Sequence, residues 1–263
     1  MREIRVESWA ELHERLFEDS WQERLGRHRS NFAYRGRALA TEGLETSLQR
    51  LSADPGSLEA PLIRSFRKYA RKSDVPYDSA WNWLALAQHH GLPTRLLDWT
   101  FSPYVALHFA TTTLLRYNED GVVWTIDYVR AHELLPESLR TVLRDEGANV
   151  FTAEMLDRAA QNRRELDHLA EDEDFVLFLE PPSLDDRIVN QYALFSLMSS
   201  AEASLDDWGE QHEGLIRKLV VPAELKWEVR DKLDQANITE RVLFPGLDGL
   251  SAWLRRYYLP RSG

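Results

Sequence analysis

Residues 83–110, WLALAQHHGLPTRLLDWTFSPYVALHFA, carry the greatest density of side chains able to do chemistry. Gly91 and Pro93 should end a helix, and TRLLDWT reads as a short strand after it. Alternation along that strand sets Thr94, Leu96, Asp98 and Thr100 on one face, with Arg95, Leu97 and Trp99 on the other. Polar groups at fixed places among apolar ones need partners, because a buried polar atom without one is costly. A ligand would supply such partners. So would an internal Arg95–Asp98 pair or a helix cap. His89 and His90 are adjacent on a helix, about 100° apart, and would chelate one ion poorly, so no metal site is expected. One of them is better suited to cap the helix or to hydrogen-bond a substrate.

Three further stretches bear on the same question. NFAYRG, residues 31–36, places Arg35 on a short apolar strand, where a guanidinium needs an anion or a hydrogen-bond acceptor. DDRIVNQYALF, residues 185–195, sets Arg187 and Gln191 four apart. A glutamine can orient a ribose or an amide but cannot act as a general base; it can equally bond its own backbone surroundings. NITERVLF brings Glu240 beside a strand-like run, where an exposed carboxylate needs no function. The chain has no GxSxG, Walker A or GxGxxG sequence.

The elements that must position these residues follow from periodicity and caps. Helices are predicted near 8–25, with Ser8 and Glu11 as a capping box, and near 57–72 and 79–90. Another starts at Ser102-Pro103, a good N-cap and first-turn pair. GVVWTIDY (121–128) alternates as a strand, and DFVLFLEPP and LIRKLVVP read as two more. Residues 152–172 read as a polar helix ending in the acid-rich EDED, an excursion from the core. A final helix over 248–258 carries the stripe Leu250, Trp253, Leu254, Tyr257 and Tyr258, which predicts a packed face. Strands separated by helices but clustered late predict a mixed α+β fold, one domain over 1–263.

Composition narrows the function classes. The 263 residues include 43% hydrophobic side chains, with nine Trp and ten Phe, enough for a substantial core. No apolar run is long enough to span a bilayer, and the N-terminus lacks the apolar segment of a signal peptide. With no cysteine, disulfides and a thiolate nucleophile are excluded; the expected location is cytoplasmic. A net charge of −11 argues against a surface coated for nucleic acid, though not against a local basic cleft. Residues 24–37 hold five arginines. Arg64, Arg67, Lys68, Arg71 and Lys72 form one helical stripe, read either as a solvated face or as the wall of an anion site.

Taken together, the stretches resemble the FRG domain family of bacterial and phage proteins. The motif is Tyr34-Arg35-Gly36, continued through QHHGLPTRLLDWTFSPYVALHFA, DGVVW, RIVNQYALF and LFPGLDGL. A looser resemblance is to the ADP-ribosyltransferase fold, with a split sheet flanked by helices. That fold's order is an Arg-bearing strand, a second strand with Ser, Thr or His before a helix, and a third motif with Glu or a substitute. The resemblance implies NAD held by Tyr34, Arg35, Gly36, His90, Thr94, Arg95, Asp98 and Thr100. Gln191, or secondarily Glu240, would be the catalytic third motif. A glutamine departs from the usual glutamate, which puts classical arginine-directed transfer in question. The implied function is transfer of ADP-ribose to a protein or nucleic-acid acceptor, as in a toxin or phage-defence effector. The alternative is a non-enzymatic module that binds a nucleotide or nucleic acid in the same cleft. A structural domain in which Arg35 pairs with a carboxylate such as Asp98 is the third reading.

Overall fold

A computed structural model of the chain describes residues 1–170 and 173–260. The strands are β1 (Arg2–Arg5), β2 (Trp21–Gln22), β3 (Arg27–His28), β4 (Phe32–Arg37), β5 (Leu96–Thr100), β6 (Gly121–Asp127), β7 (Val176–Leu179), β8 (Ala193–Met198) and β9 (Ile216–Val221). The first part of the chain forms helices α1 (Trp9–Phe17), α2 (Ser47–Leu51), α3 (Pro55–Tyr69), α4 (Ala80–His89) and α5 (Pro103–Thr111). The middle adds α6 (Tyr128–Glu133), α7 (Glu137–Glu146), α8 (Ala153–Ala159), α9 (Arg163–His168) and α10 (Asp186–Asn190). The last part adds α11 (Leu205–Gln211), α12 (Lys226–Gln235), α13 (Glu240–Leu243) and α14 (Leu247–Tyr257). Hydroxyl or carboxylate caps start many of them: Ser8 for α1, Ser79 for α4, Ser102 for α5 and Asp185 for α10. Each such cap satisfies a first-turn N–H and contributes about 1 kcal/mol.

Seven strands form one mixed sheet in the order β1-β9-β6-β4-β5-β8-β7, with helices against it. Only β1 and β9 run parallel. The fold is therefore mixed α+β, as the strand and helix patterns predict. One joint in the sheet is thin. β4 pairs with β6 from Phe32 to Arg37, and β5 with β8 from Leu96 to Thr100. β4 and β5 meet at a single pair, Tyr34 with Thr100. The two halves part beyond that rung.

Apolar alternation fixes what covers each face. Leu96, Phe195, Leu197 and Leu177 pack under α4, α7, α8 and α9. Phe32, Tyr34, Val123 and Leu219 pack under α1, α5 and α12. Because Tyr34 and Thr100 share a rung, these two apolar layers lie on the same face of the sheet, side by side. Ala33, Leu97, Trp99, Trp124 and Leu194 face the other way, toward Leu205 and Trp208. The seam between the first two layers is where a site can form.

Several expectations change on the way. The helix predicted to reach residue 25 stops at Phe17, because Asp19 takes a left-handed φ of 60° and Ser20 leads into the β2–β3 hairpin. The polar helix of 152–172 is two helices, α8 and α9, and Leu156 and Leu166 are core residues rather than an excursion. The first half of EDED, residues 171–172, lies outside the described residues. NITERVLF is not strand-like: α13 occupies Glu240–Leu243 behind an extended Thr239. In α14 the predicted apolar stripe is largely exposed, with Tyr257 and Tyr258 facing solvent. That helix packs instead through Gly249 and Arg256, seven residues apart on one face. A Cβ on Gly249 would lie 1.9 Å from the Phe244 carbonyl oxygen. The basic stripe is also interrupted. Arg71 and Lys72 fall beyond the end of α3, and Arg67 is held by Asp78 at 2.7 Å and by the Trp83 ring.

Candidate functional site

A cleft of about 650 Å³ opens along the seam, a size that suits a small-molecule or cofactor ligand. Its walls come from the parting strands β4 and β5, the C-terminal end of α4, the segment from α10 to β8, and Phe109 of α5. Arg35, Asp98, Thr100, His90 and Gln191 all line it. They come from segments as far apart as residues 35 and 191.

Arg35 starts on the far face of the sheet, in register with Trp124. Its guanidinium enters the gap where β4 leaves β5 and donates from Nη1 to the Asp98 carbonyl oxygen at 2.6 Å. The residue is 8% exposed, and its Nε is buried with no partner among the described residues. Burial pulls the guanidinium down to about 10; Asp98 resists that fall, and Arg37 and Arg50 add to it. It stays charged at neutral pH. The Asp98 carboxylate lies 3.9 Å away and its side chain is 63% exposed. Arg35 and Asp98 therefore do not form a buried pair that neutralises itself, and one guanidinium edge is left over.

Beneath Asp98 runs a hydrogen-bonded chain. The Thr94 hydroxyl donates to Gln88 Oε1 at 2.6 Å, and Gln88 Nε2 donates to Asp98 Oδ2 at 2.9 Å. Thr94, expected to touch the ligand, is fully buried and orients Asp98 through Gln88 instead. Thr100 does line the cleft, yet its hydroxyl is committed: it donates to the Gln191 carbonyl oxygen at 2.7 Å and accepts from the Ser102 N–H. It fixes the main chain that carries Gln191. The Gln191 amide in turn donates to the Leu243 carbonyl at 3.0 Å.

Three expected ligand contacts have structural employment. Arg95 points away from the cleft. Its Nε and Nη2 grip the buried Glu59 carboxylate at 2.6–2.9 Å, and Nη1 reaches Asp167. The expected alternative partner, Asp98, lies on the opposite face. Gly36 borders the cleft, but its lack of a side chain serves α5: a Cβ there would sit 1.8 Å from the Ala106 carbonyl oxygen. The Tyr34 hydroxyl donates to the Leu16 carbonyl at 3.0 Å and so ties down α1.

Glu240 lies outside the cleft lining as well. Its carboxylate accepts two hydrogen bonds from Arg256, at 2.6 and 2.7 Å, beside Arg230 and Asp234. Burial alone would raise the Glu240 carboxyl; the Arg256 bonds and the Arg230 charge override that and hold it at about 2. It is a permanent anion serving α12, α13 and α14. Gln88 and Phe109, which sequence reasoning passed over, complete the cleft together with Arg187 and Phe195, to which it gave no role. Gln88 had a legible signal, a lone amide late in the apolar run WLALAQ. His89 closes the rim from α4 to α10, its Nε2 2.8 Å from Asp185.

Residues 30–119 match the FRG domain family. The match spans β4 through α5, and so contains Arg35, Gln88, Asp98 and Thr100 but not Gln191. No curated protein and no solved structure is similar enough to the chain to count as a match. Among the described residues, no helix is long and apolar enough to cross a membrane.

Proposed function

We propose that the chain is an NAD-dependent ADP-ribosyltransferase-like enzyme whose reaction takes place in this cleft. One observation carries the reading. Arg35 is buried at the parting of β4 and β5 with a free guanidinium edge, beside a carboxylate and a glutamine-bearing turn that arrive from distant segments. The strands that carry or follow the three motifs, β4, β5 and β8, are consecutive in the sheet. That order supports the parallel with the transferase fold.

NAD would supply a nicotinamide leaving group on an electrophilic ribose carbon. For such a ligand the orphaned Arg35 edge offers a charge-assisted contact to phosphate, with a geometry suited to two oxygens. Asp98, oriented by Gln88 and open to solvent, is the carboxylate that can face the developing positive charge on the ribose or take a proton from the acceptor. Gln191 would orient the ribose. Phe109 and Phe195 furnish flat apolar wall for a planar ring. Acceptor identity, protein or nucleic acid, belongs to the same proposal, as does a role as a toxin or phage-defence effector.

A second reading has its own support. The Gln191 amide is already bonded to Leu243, Glu240 is locked by Arg256 outside the cleft, and among the described residues no glutamate lines the cleft to act as base. A module that binds nucleotide without turnover would need no such base. The two separate in one measurement: nicotinamide release and label transfer from NAD, alongside NAD affinity. Release above the uncatalysed rate, lost in Asp98→Asn, is the expected result. NAD binding without release with any acceptor offered would leave the binding module, and absence of both would overturn the NAD reading.

A further inference from the structure

The cleft contains a second guanidinium with donors to spare. Arg187 stands on α10, is exposed, and lines the same cleft as Arg35. Its guanidinium carbon lies 5.1 Å from the centroid of the Phe244 ring, a distance at which the ring face attracts the cation. Elsewhere in the cleft Arg37 is paired with Glu42, and the His89 ring is hydrogen-bonded to Asp185. Asp185, two residues before Arg187, is spent on His89 and on the Ile188 N–H, and the adjacent Asp186 is exposed and makes no ion pair with Arg187. Among the described residues no carboxylate pairs with Arg187.

We propose that Arg187, on its Phe244 platform, and Arg35 bind the two linked phosphates of a diphosphate. The cleft would then select a dinucleotide or nucleoside diphosphate over a mononucleotide or nucleoside. The proposal rests on the NAD reading above only for which nucleotide is bound. Each guanidinium presents a planar fork that matches one phosphate group. Arg35 cannot serve both phosphates, since it has one NH group on the Asp98 carbonyl and the Asp98 carboxylate offsets part of its charge. A second cation is what gives the cleft net attraction for a doubly charged group. The Phe244 ring contributes by holding Arg187 in place, so less side-chain freedom is lost on binding.

The test is titration of the full chain with NAD, ADP-ribose, ADP, AMP and adenosine, for wild type, Arg187→Gln and Phe244→Leu. Wild type should prefer the diphosphate ligands to AMP by about tenfold or more. Arg187→Gln should weaken them by roughly tenfold to a hundredfold, the scale of one charge-assisted hydrogen bond, while AMP changes little. Phe244→Leu should show the same pattern at smaller size. Because Arg187 is exposed, its variant should keep the wild-type melting temperature, which excludes unfolding as the cause. NAD bound equally by wild type and Arg187→Gln would overturn the diphosphate pair and leave the NAD reading intact. Arg187-dependent binding of ADP with refusal of NAD would keep the pair and overturn the NAD reading. Absence of nucleotide binding would end both.

Discussion

Arg35 carries the sharpest choice between a structural and a functional role. As a structural residue it would need only its bond to the Asp98 carbonyl, and a lysine could make that bond. As a phosphate ligand it needs the fork, which lysine lacks. Arg35→Lys should therefore lose NAD affinity nearly as far as Arg35→Ala, by about 1.5–3 kcal/mol for each charge-assisted bond removed. It should also melt closer to wild type than Arg35→Ala does. The measurement pairs NAD titration with thermal unfolding. A lysine variant that binds as wild type would make Arg35 a strand tie and nothing more. The same logic sorts the neighbours: Thr94 and Gln88 orient, Asp98 is presented, and Thr100 holds the turn that carries Gln191.

At the scale of elements, Gly36 shows how a motif residue can be fixed by packing. α5 presses its backbone onto β4 at that position, and any Cβ would meet the Ala106 carbonyl and the Ala110 nitrogen. Backbone atoms cannot rotate away, so Gly36→Ala should cost about 3 kcal/mol, the upper end of what overpacking typically costs. The check is denaturant unfolding of the variant; a loss below about 1 kcal/mol would mean that α5 is free to shift. Much of this architecture was legible. The Ser102-Pro103 start of α5, the Gly91 stop after α4, which has a φ of 78°, and the alternation in β5 and β6 are local signals. What stayed hidden depends on long-range partners. Arg95 and Asp98 look equally available in the sequence, and only the arrival of Glu59 from α3 and Asp167 from α9 takes Arg95 out of the cleft. Glu240 is removed in the same way by Arg256, sixteen residues later. The Leu/Tyr stripe of α14 misled because periodicity reports an apolar face, not whether this molecule covers it.

Over the whole molecule, buried histidines set how stability answers to acid. His132 is locked neutral: its Nδ1–H donates to the Asn149 carbonyl, and its Nε2 accepts the Phe178 N–H. Burial pushes it down to about 4. His108 is buried on α5 and accepts at Nδ1 from Arg230. Burial first, and then the Arg230 charge, push it to about 3. In the unfolded chain both titrate near 6.5. A folded value below the unfolded one means that the unfolded state takes up protons first as the pH falls. The stabilising effect of the neutral rings is therefore complete above about pH 6.5. It is lost as acid is added, until the pH reaches the folded values. Glu240 acts in the same direction at lower pH. Held at about 2, against a usual carboxylate value near 4.5, it adds to the loss below that value. The expected slope approaches about 1.4 kcal/mol per pH unit for each histidine between pH 6 and 5. Denaturant unfolding at pH 7, 6 and 5 measures it, and His132→Gln should halve the dependence if the variant folds. Unfolding free energy that stays level from pH 7 to 5 in the wild type would mean that neither ring is held neutral by the fold.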